Sequence, residues 1–234
     1  MQEIHGKNSS VPGEPMDLKK QMMCAGQAML SKFTPVNQIC NHIVGFHFYS
    51  GDIKRQVEAH HYCSALNSEF MQCIIYDSDK ADAKLIGVEY IVSEKIFQTL
   101  PEEERKYWHS HVYEVKSGIL TFPEVPYTAE KMVMADLITT YGKTIHFWQV
   151  DRGDNLPLGE PKLMMAFTQD GQVNMELVDR RDKEYGISTL DNKKNRADIE
   201  IPQILSGADG WKKGSAVQFE VKEVPMSGYQ GTIL

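Results

Sequence analysis

The sequence has no long hydrophobic run. Its longest apolar patches, residues 22–30 and 43–49, are interrupted by Gln27 and His47. Both fall well short of the roughly 20 residues that span a bilayer. The first 14 residues are polar and lack the apolar centre of a secretory signal. These absences predict an intracellular, cytoplasmic protein without a transmembrane segment.

Runs of basic residues and several widespread motifs are also missing. The chain has 25 Lys and Arg against 32 Asp and Glu, a formal charge of −7. An acidic chain without a basic cluster is a poor ligand for phosphate backbones or anionic lipid, so we expect no nucleic-acid partner. No Gly-x-Gly-x-x-Gly or Gly-x-Ser-x-Gly occurs, which argues against a dinucleotide site and a serine hydrolase.

Cysteine is scarce, with four residues: Cys24, Cys40, Cys63 and Cys73. No Cys-x-x-Cys pair is present, so a structural zinc knuckle is not expected. In an intracellular chain the four cysteines should be reduced thiols. Cys63 lies close to a histidine pair and could act as a nucleophile, or it could simply be a small buried side chain.

One stretch of the sequence is rich in side chains that bind metals, residues 108–118 (Trp-His-Ser-His-Val-Tyr-Glu-Val-Lys-Ser-Gly). Imidazole and carboxylate together form a common ligand set for transition metals. We therefore predict a site for zinc, iron, nickel or manganese, with its ligands drawn from His60, His61, His109, His111 and Glu114, and with His146 in reserve. The alternative is that these histidines bond to buried carbonyls and have only a structural role.

The spacing of this motif does not suit a single regular element. In a strand, His109 and His111 share a face and Glu114 falls on the other; in a helix, His111 and Glu114 share a face. We expect a bend or a strand end inside the motif. His60 and His61 point in different directions in either a helix or a strand, so one of them is the better candidate ligand.

Two residues are candidates for catalysis. Glu114 lies beside the predicted metal, where open coordination positions would make the site catalytic. Arg152 lies in the loop Asp151-Arg152-Gly153-Asp154, from which its guanidinium could hold a small anionic substrate. Arg152 could equally tie together the carbonyls of its own loop. No separate residues for binding an organic cofactor are predicted.

The periodicity predicts an α+β fold, with N-terminal helices packed against an antiparallel or mixed sheet. We expect a flexible arm (residues 1–16), then a single domain (17–234) in which 186–215 is a polar surface wrap. Helices are predicted at 18–32 with Leu18, Met22, Ala25 and Met29 buried, from Pro35 to Ile43, and at 93–100, 101–107, 128–141 and 173–185. Residues 52–67 are ambiguous between helix and strand. Strands are predicted at 73–77 and 85–92, which we expect to pair as a hairpin, and at 119–122, 143–150, 161–168 and 216–224.

Several blocks of sequence resemble the oil-body-associated protein family. They include His60-His61-Tyr62-Cys63, residues 72–79 (Gln-Cys-Ile-Ile-Tyr-Asp-Ser-Asp), 85–90, 108–118, 141–144, 148–154 and 156–165, in order from about 35 to 190. The family takes its name from plant members found with seed oil bodies, and related sequences occur in fungi and bacteria. The resemblance implies family membership and contact with lipid droplets, and it carries no fold or catalytic residues.

The resemblance suggests a second function, a non-catalytic protein at the lipid-droplet surface with structural histidines. Without a long apolar hairpin, such contact would need an amphipathic surface or a partner. Residues 22–30 are the one stretch suited to this, and packing in the core is the alternative for them.

Overall fold

The computed structural model describes residues 11–227, and its centre is a closed antiparallel sheet. The strands are β1 (Asn41–Tyr49), β2 (Asp52–Asn67), β3 (Phe70–Tyr76), β4 (Leu85–Ser93), β5 (His109–Ser110), β6 (Thr140–His146) and β7 (Lys162–Met165). Their order is β4-β3-β2-β1-β7-β6-β5, and pairing of β4 with β6 closes six of them into a barrel. The prediction of helices together with an antiparallel sheet is confirmed.

The segment after Pro35 corrects one prediction. Instead of a helix it has a single 3₁₀ turn, Val36–Gln38, and then the hairpin of β1 and β2 around Gly51. Val44, Phe46 and Phe48 are buried on one face of β1 and Ile43 on the other. A strand buried on both faces shows no alternation, so periodicity does not distinguish it from a helix. The ambiguous segment 52–67 is strand.

In the middle of the chain, the observed elements agree with those predicted from the sequence. β3 and β4 form the predicted hairpin. Helix α2 (Glu94–Thr99) begins after Ser93, whose hydroxyl accepts a hydrogen bond from the Ile96 amide at 3.2 Å. Helix α3 (Glu102–Arg105) follows Pro101, with acidic residues at its N-terminus as the helix dipole favours.

The N-terminal helix α1 (Leu18–Leu30) is present but does not pack as predicted. Asp17 caps it by accepting a hydrogen bond from the Lys20 amide at 2.7 Å. None of its residues is buried, so the predicted packing of N-terminal helices against the sheet is not confirmed. Periodicity indicates that a helix forms, but not what it contacts. Residues 1–10 of the predicted arm lie outside the described residues.

The remaining helices are α4 (Val112–Ser117), α5 (Tyr127–Leu137), α6 (Met175–Tyr185) and α7 (Thr189–Asn195). The helix predicted through Tyr141 ends at Leu137, and Gly142 lies inside β6 rather than stopping the helix. The strands predicted at 119–122 and 216–224 do not form, although Thr121 makes an isolated bridge to Val44. The C-terminal wrap buries Arg196 and Asp209, so it is more than a polar surface layer.

The cysteines correct a further prediction. Register places Cys63 of β2 opposite Cys73 of β3, and the two form a disulfide. The expectation of four reduced thiols is therefore wrong, and Cys63 has no free thiol to act as a nucleophile. Cys24 and Cys40 are free and exposed. Sequence spacing alone could not reveal the pair, because it depends on the register of two strands.

The barrel interior is apolar at both ends. At one end, Val115 of α4 and Leu137 of α5 pack with Ile43 and Ile91. At the other end, the interior is filled by Tyr49, Val57, Ala59, Ile75, Ile86 and Met164. Between these layers lies a group of histidines and glutamates. Along the described chain, no helix has the length and apolar character needed to cross a membrane.

Candidate metal centre

Glu89 lies at the middle of the barrel, with 2 % of its surface exposed. Its Oε2 is 2.9 Å from His61 Nε2 and 3.8 Å from His47 Nε2. Its Oε1 is 3.3 Å from His109 Nε2 and 3.4 Å from His111 Nε2. One carboxylate is thus surrounded by four imidazoles, two at each oxygen.

Strand register explains how these side chains meet. Alternate residues of a strand point to opposite faces, and directly paired residues of neighbouring strands share a face. His61 pairs with Ile43 of β1 and Ile75 of β3, both in the interior. On β1, His47 lies on the same face as Gly45 and Ile43, so it also points inward. On β4, Glu89 pairs with the buried Thr144 of β6. Sequence-distant residues therefore converge.

The motif 109–118 bends as predicted. His109 and Ser110 pair with β6, and His111 then turns the chain (φ −87°, ψ 5°) into α4. Gly118 ends that helix in the left-handed region at φ 84°, which favours glycine. The bend brings donor atoms of His109, His111 and Glu114 within 4.8 Å of one another.

Side chains from the C-terminal wrap and α6 hold this motif in place. Asp209 accepts hydrogen bonds from the Ser110 amide at 2.9 Å and hydroxyl at 2.7 Å. Arg196 donates to the carbonyls of Val115 and Leu120. Arg181 of α6 donates to the Ile119 carbonyl at 2.8 Å. The motif thus lies beside β6 and is held there by buried polar contacts from α6 and the C-terminal wrap.

A glycine makes room for the centre. A Cβ atom at Gly142 would lie 2.1 Å from Glu89 Oε1 and 2.6 Å from His109 Nε2. Only a residue without a side chain can therefore occupy this position of β6 while both groups keep their places.

Burial and charge set the protonation of the group. Burial alone would raise the pKa of Glu89, but the surrounding His109, His111 and His61 outweigh it and hold that pKa well below its usual range. Burial lowers the pKa of His47 well below the ordinary value and that of His146 to about 3. Burial raises the pKa of Glu114 to about 8.

The pKa of His109 is shifted in the opposite direction from those of His47 and His146. Burial lowers its pKa, but contact with Glu89 and the charges of the nearby carboxylates outweigh burial, so the net shift is upward.

Several buried donors have no aligned partner. His61 Nε2, both nitrogens of His109, His146 Nδ1 and Thr144 Oγ1 make no hydrogen bond within the described chain. The nitrogens of His61 and His109 approach Glu89 closely without hydrogen-bond alignment. Ligands about 2.1 Å from one ion are about 3.0 Å apart in an octahedron and about 3.4 Å in a tetrahedron. Three of the four contacts to Glu89 fall in or near this range.

A small cavity adjoins these donors. It measures about 10 Å³ and is lined by His47, His61, Glu89, His111 and Glu114 together with Ile43, Ile91, Leu120 and Leu137. A cavity of this volume is about the smallest that can hold one water molecule.

Two sequence-predicted residues lie elsewhere. His60 points out of the barrel, with Nε2 3.1 Å from Glu58 and Nδ1 3.1 Å from His42 Nε2. Arg152 lies on the exposed loop after β6, where it forms an ion pair with Asp154. His146, the reserve candidate for a ligand, contacts His47: its Nε2 lies 3.4 Å from His47 Nδ1.

Two residues of the centre, Glu89 and His47, were missed by sequence reasoning. Both interrupt strands that are otherwise apolar on their inward face: Glu89 lies between Gly87 and Ile91, and His47 between Gly45 and Tyr49. A charged or polar residue at an inward position of a buried strand was the signal that could have identified them.

The chain is similar to a family of known proteins over most of its length. The family model described as "Protein of unknown function (DUF1264)" matches residues 33–200. "Oil body-associated protein 1B" of Arabidopsis thaliana is 45% identical over 226 residues, covering 94% of this chain and 93% of that protein. "Oil body-associated protein 1A" of Zea mays is 43% identical over 220 residues, covering 94% and 92%. "Oil body-associated protein 2A" of Zea mays is 48% identical over 213 residues, covering 88% and 84%. No solved structure matches the chain.

Proposed function

The chain belongs to the oil body-associated protein family, and within that family we propose that it is a metal-binding protein whose ion lies inside the barrel. One observation supports this above the others. Among the described residues, the ion-pair partners of the buried Glu89 are imidazoles alone: His47, His61, His109 and His111. A purely structural carboxylate would need only aligned hydrogen bonds, whereas His61 Nε2 and His109 Nε2 are not aligned with it.

The chemistry of the donor atoms limits the choice of metal. Imidazole and carboxylate suit zinc, iron, nickel or manganese. Such an ion would supply Lewis-acid or redox chemistry. The adjoining cavity of about 10 Å³, lined in part by Glu114, has room for about one water-sized molecule and no more. We therefore propose that any reacting molecule at the ion is of this size. Arg152 lies on the loop with Asp154, and no part of the proposal depends on it.

Two neighbouring histidines offer a matched test. His61 faces Glu89, and His60 faces outward, and both are buried on β2. After purification without chelators, elemental analysis should find bound metal in the wild type and in His60→Ala. His61→Ala should lose at least half of it while still folding. Wild-type protein without metal, and without uptake of zinc, iron, nickel or manganese at micromolar concentration, would leave only a structural role for the cluster.

The exposed helix α1 favours a second candidate function, contact with the surface of a lipid droplet. Its exposed side chains include five large apolar ones, Leu18, Met22, Met23, Met29 and Leu30. Exposed apolar groups on one helix are typical of a surface that binds another phase or partner. The relatives are named for association with oil bodies. We propose that α1 contacts the droplet while the barrel stays in water.

Replacing Met22, Met23, Met29 and Leu30 together by serine tests this candidate. Wild-type protein should co-sediment with neutral-lipid emulsions, and the variant should remain in the aqueous phase. Since none of these side chains is buried, the thermal midpoint should hardly change.

The control removes the same number of large, exposed apolar side chains from dispersed positions: Leu66, Met132, Leu158 and Leu190. This variant should bind emulsions like the wild type. Equal loss of binding in both variants, or wild-type protein that ignores the emulsion at every lipid load, would contradict the role of α1.

A further inference from the structure

The donors around Glu89 divide into two groups. Within the part of the chain that the structure describes, two triads have donor atoms within 4.8 Å of one another: His47–Glu89–His109 and His109–His111–Glu114. They share His109 but do not join into a single set. Two ligands of one ion, each about 2.1 Å from it, cannot be more than about 4.2 Å apart. One ion therefore cannot bind all five residues as they stand.

The contacts of Glu89 divide the imidazoles by carboxylate oxygen rather than by these triads. Oε2 faces His61 and His47, and Oε1 faces His109 and His111. A carboxylate with separate nitrogen donors at each oxygen has the arrangement of a bridge between two ions. Glu114 adds a second carboxylate on the His109–His111 side.

We propose that the barrel holds two divalent transition-metal ions bridged by Glu89. One ion binds Oε2 with His47 and His61, and the other binds Oε1 with His109, His111 and Glu114. This rests on the proposed function and adds the number of ions and the bridging residue. Ions bridged in this way lie about 3.5–4 Å apart in known two-metal sites.

The cavity fits this arrangement. Its lining includes His47 and His61 from one side and His111 and Glu114 from the other, with Glu89 between them. Paired ions in known two-metal sites hold the oxygen atoms of the reacting groups, and this cavity would limit such a group to about one water molecule.

Titration of the metal-free protein with Mn²⁺, followed by elemental analysis and electron paramagnetic resonance, tests the proposal. We expect two Mn²⁺ per chain at saturation. The signal per ion should fall as the second equivalent binds, because a bridging carboxylate couples the two spins. One Mn²⁺ per chain, or two with undiminished signals, would overturn the pair of ions while leaving the proposed function intact. No Mn²⁺ or other metal bound would overturn both.

Variants then locate each ion. Glu114→Gln and His47→Ala, on opposite sides of the bridge, should each hold one ion with an uncoupled signal. Glu58→Gln changes a buried carboxylate that contacts His60 outside the barrel, and it should keep two coupled ions. Two coupled ions in both Glu114→Gln and His47→Ala would contradict the assigned ligands.

Discussion

Arg196→Ala should lower the free energy of unfolding by about 3–5 kcal/mol, the range for removing one partner of a buried ion pair. Arg196 is 1 % exposed and lies 2.9 Å from Glu130 Oε1. Its loss would leave that carboxylate without its cation and would remove a donor from the carbonyls of Val115 and Leu120. Urea denaturation measures the change, and metal content should fall with it because both carbonyls flank the end of α4.

The control for Arg196 lies on the same helix as Glu130. Lys131 pairs with Asp198 at the surface, where solvent screens the charges. Lys131→Ala should therefore leave the denaturation midpoint nearly unchanged. If Arg196→Ala were as stable as Lys131→Ala, the buried arginine would not hold the motif.

Gly142→Ala should abolish metal uptake and destabilise the fold by about 1–3 kcal/mol, as overpacking of a filled core does. The new methyl group would lie 2.1 Å from Glu89 Oε1 and 2.6 Å from His109 Nε2. Glu89 cannot turn aside without leaving its imidazoles, and His109 is fully buried. Elemental analysis and thermal denaturation of the same sample would measure both effects.

Gly26→Ala is the matched control, since a Cβ there would meet nothing within 4 Å. In the middle of α1 it should stabilise the helix by up to about 1 kcal/mol without changing metal content. Wild-type metal content in Gly142→Ala would show that the space beside Glu89 is not required for binding.

Local sequence signals were sufficient to predict the elements that are determined by residues close together in the chain. The cap at Ser93, the β3–β4 hairpin and the bend within 109–118 were all predicted from nearby residues. The helix predicted after Pro35 was wrong because β1 is buried on both faces, so its apolar residues run continuously. That burial comes from α6 and the C-terminal loops, more than 100 residues away.

The candidate site was predicted in part for the same reason. His109, His111 and Glu114 stood out because they are close in sequence, and His61 because it lies beside His60. Glu89 has no such neighbour in the chain, and only closure of β4 against β6 brings it to the centre. Which of His60 and His61 faces inward depends on one step of strand register, which composition does not specify.

The burial of the donor side chains affects when a metal ion can enter or leave the barrel. His47, His61, His109 and His111 are each at most 3 % exposed, and they come from strands that meet only when the barrel closes. Pairings between residues far apart in sequence form late in folding. An ion would be captured most readily as the last strands pair, and its later entry or escape would be slow because both require local unfolding. The metal found in the protein would then record which ion was abundant when the chain folded, and chelators added later would remove it only slowly.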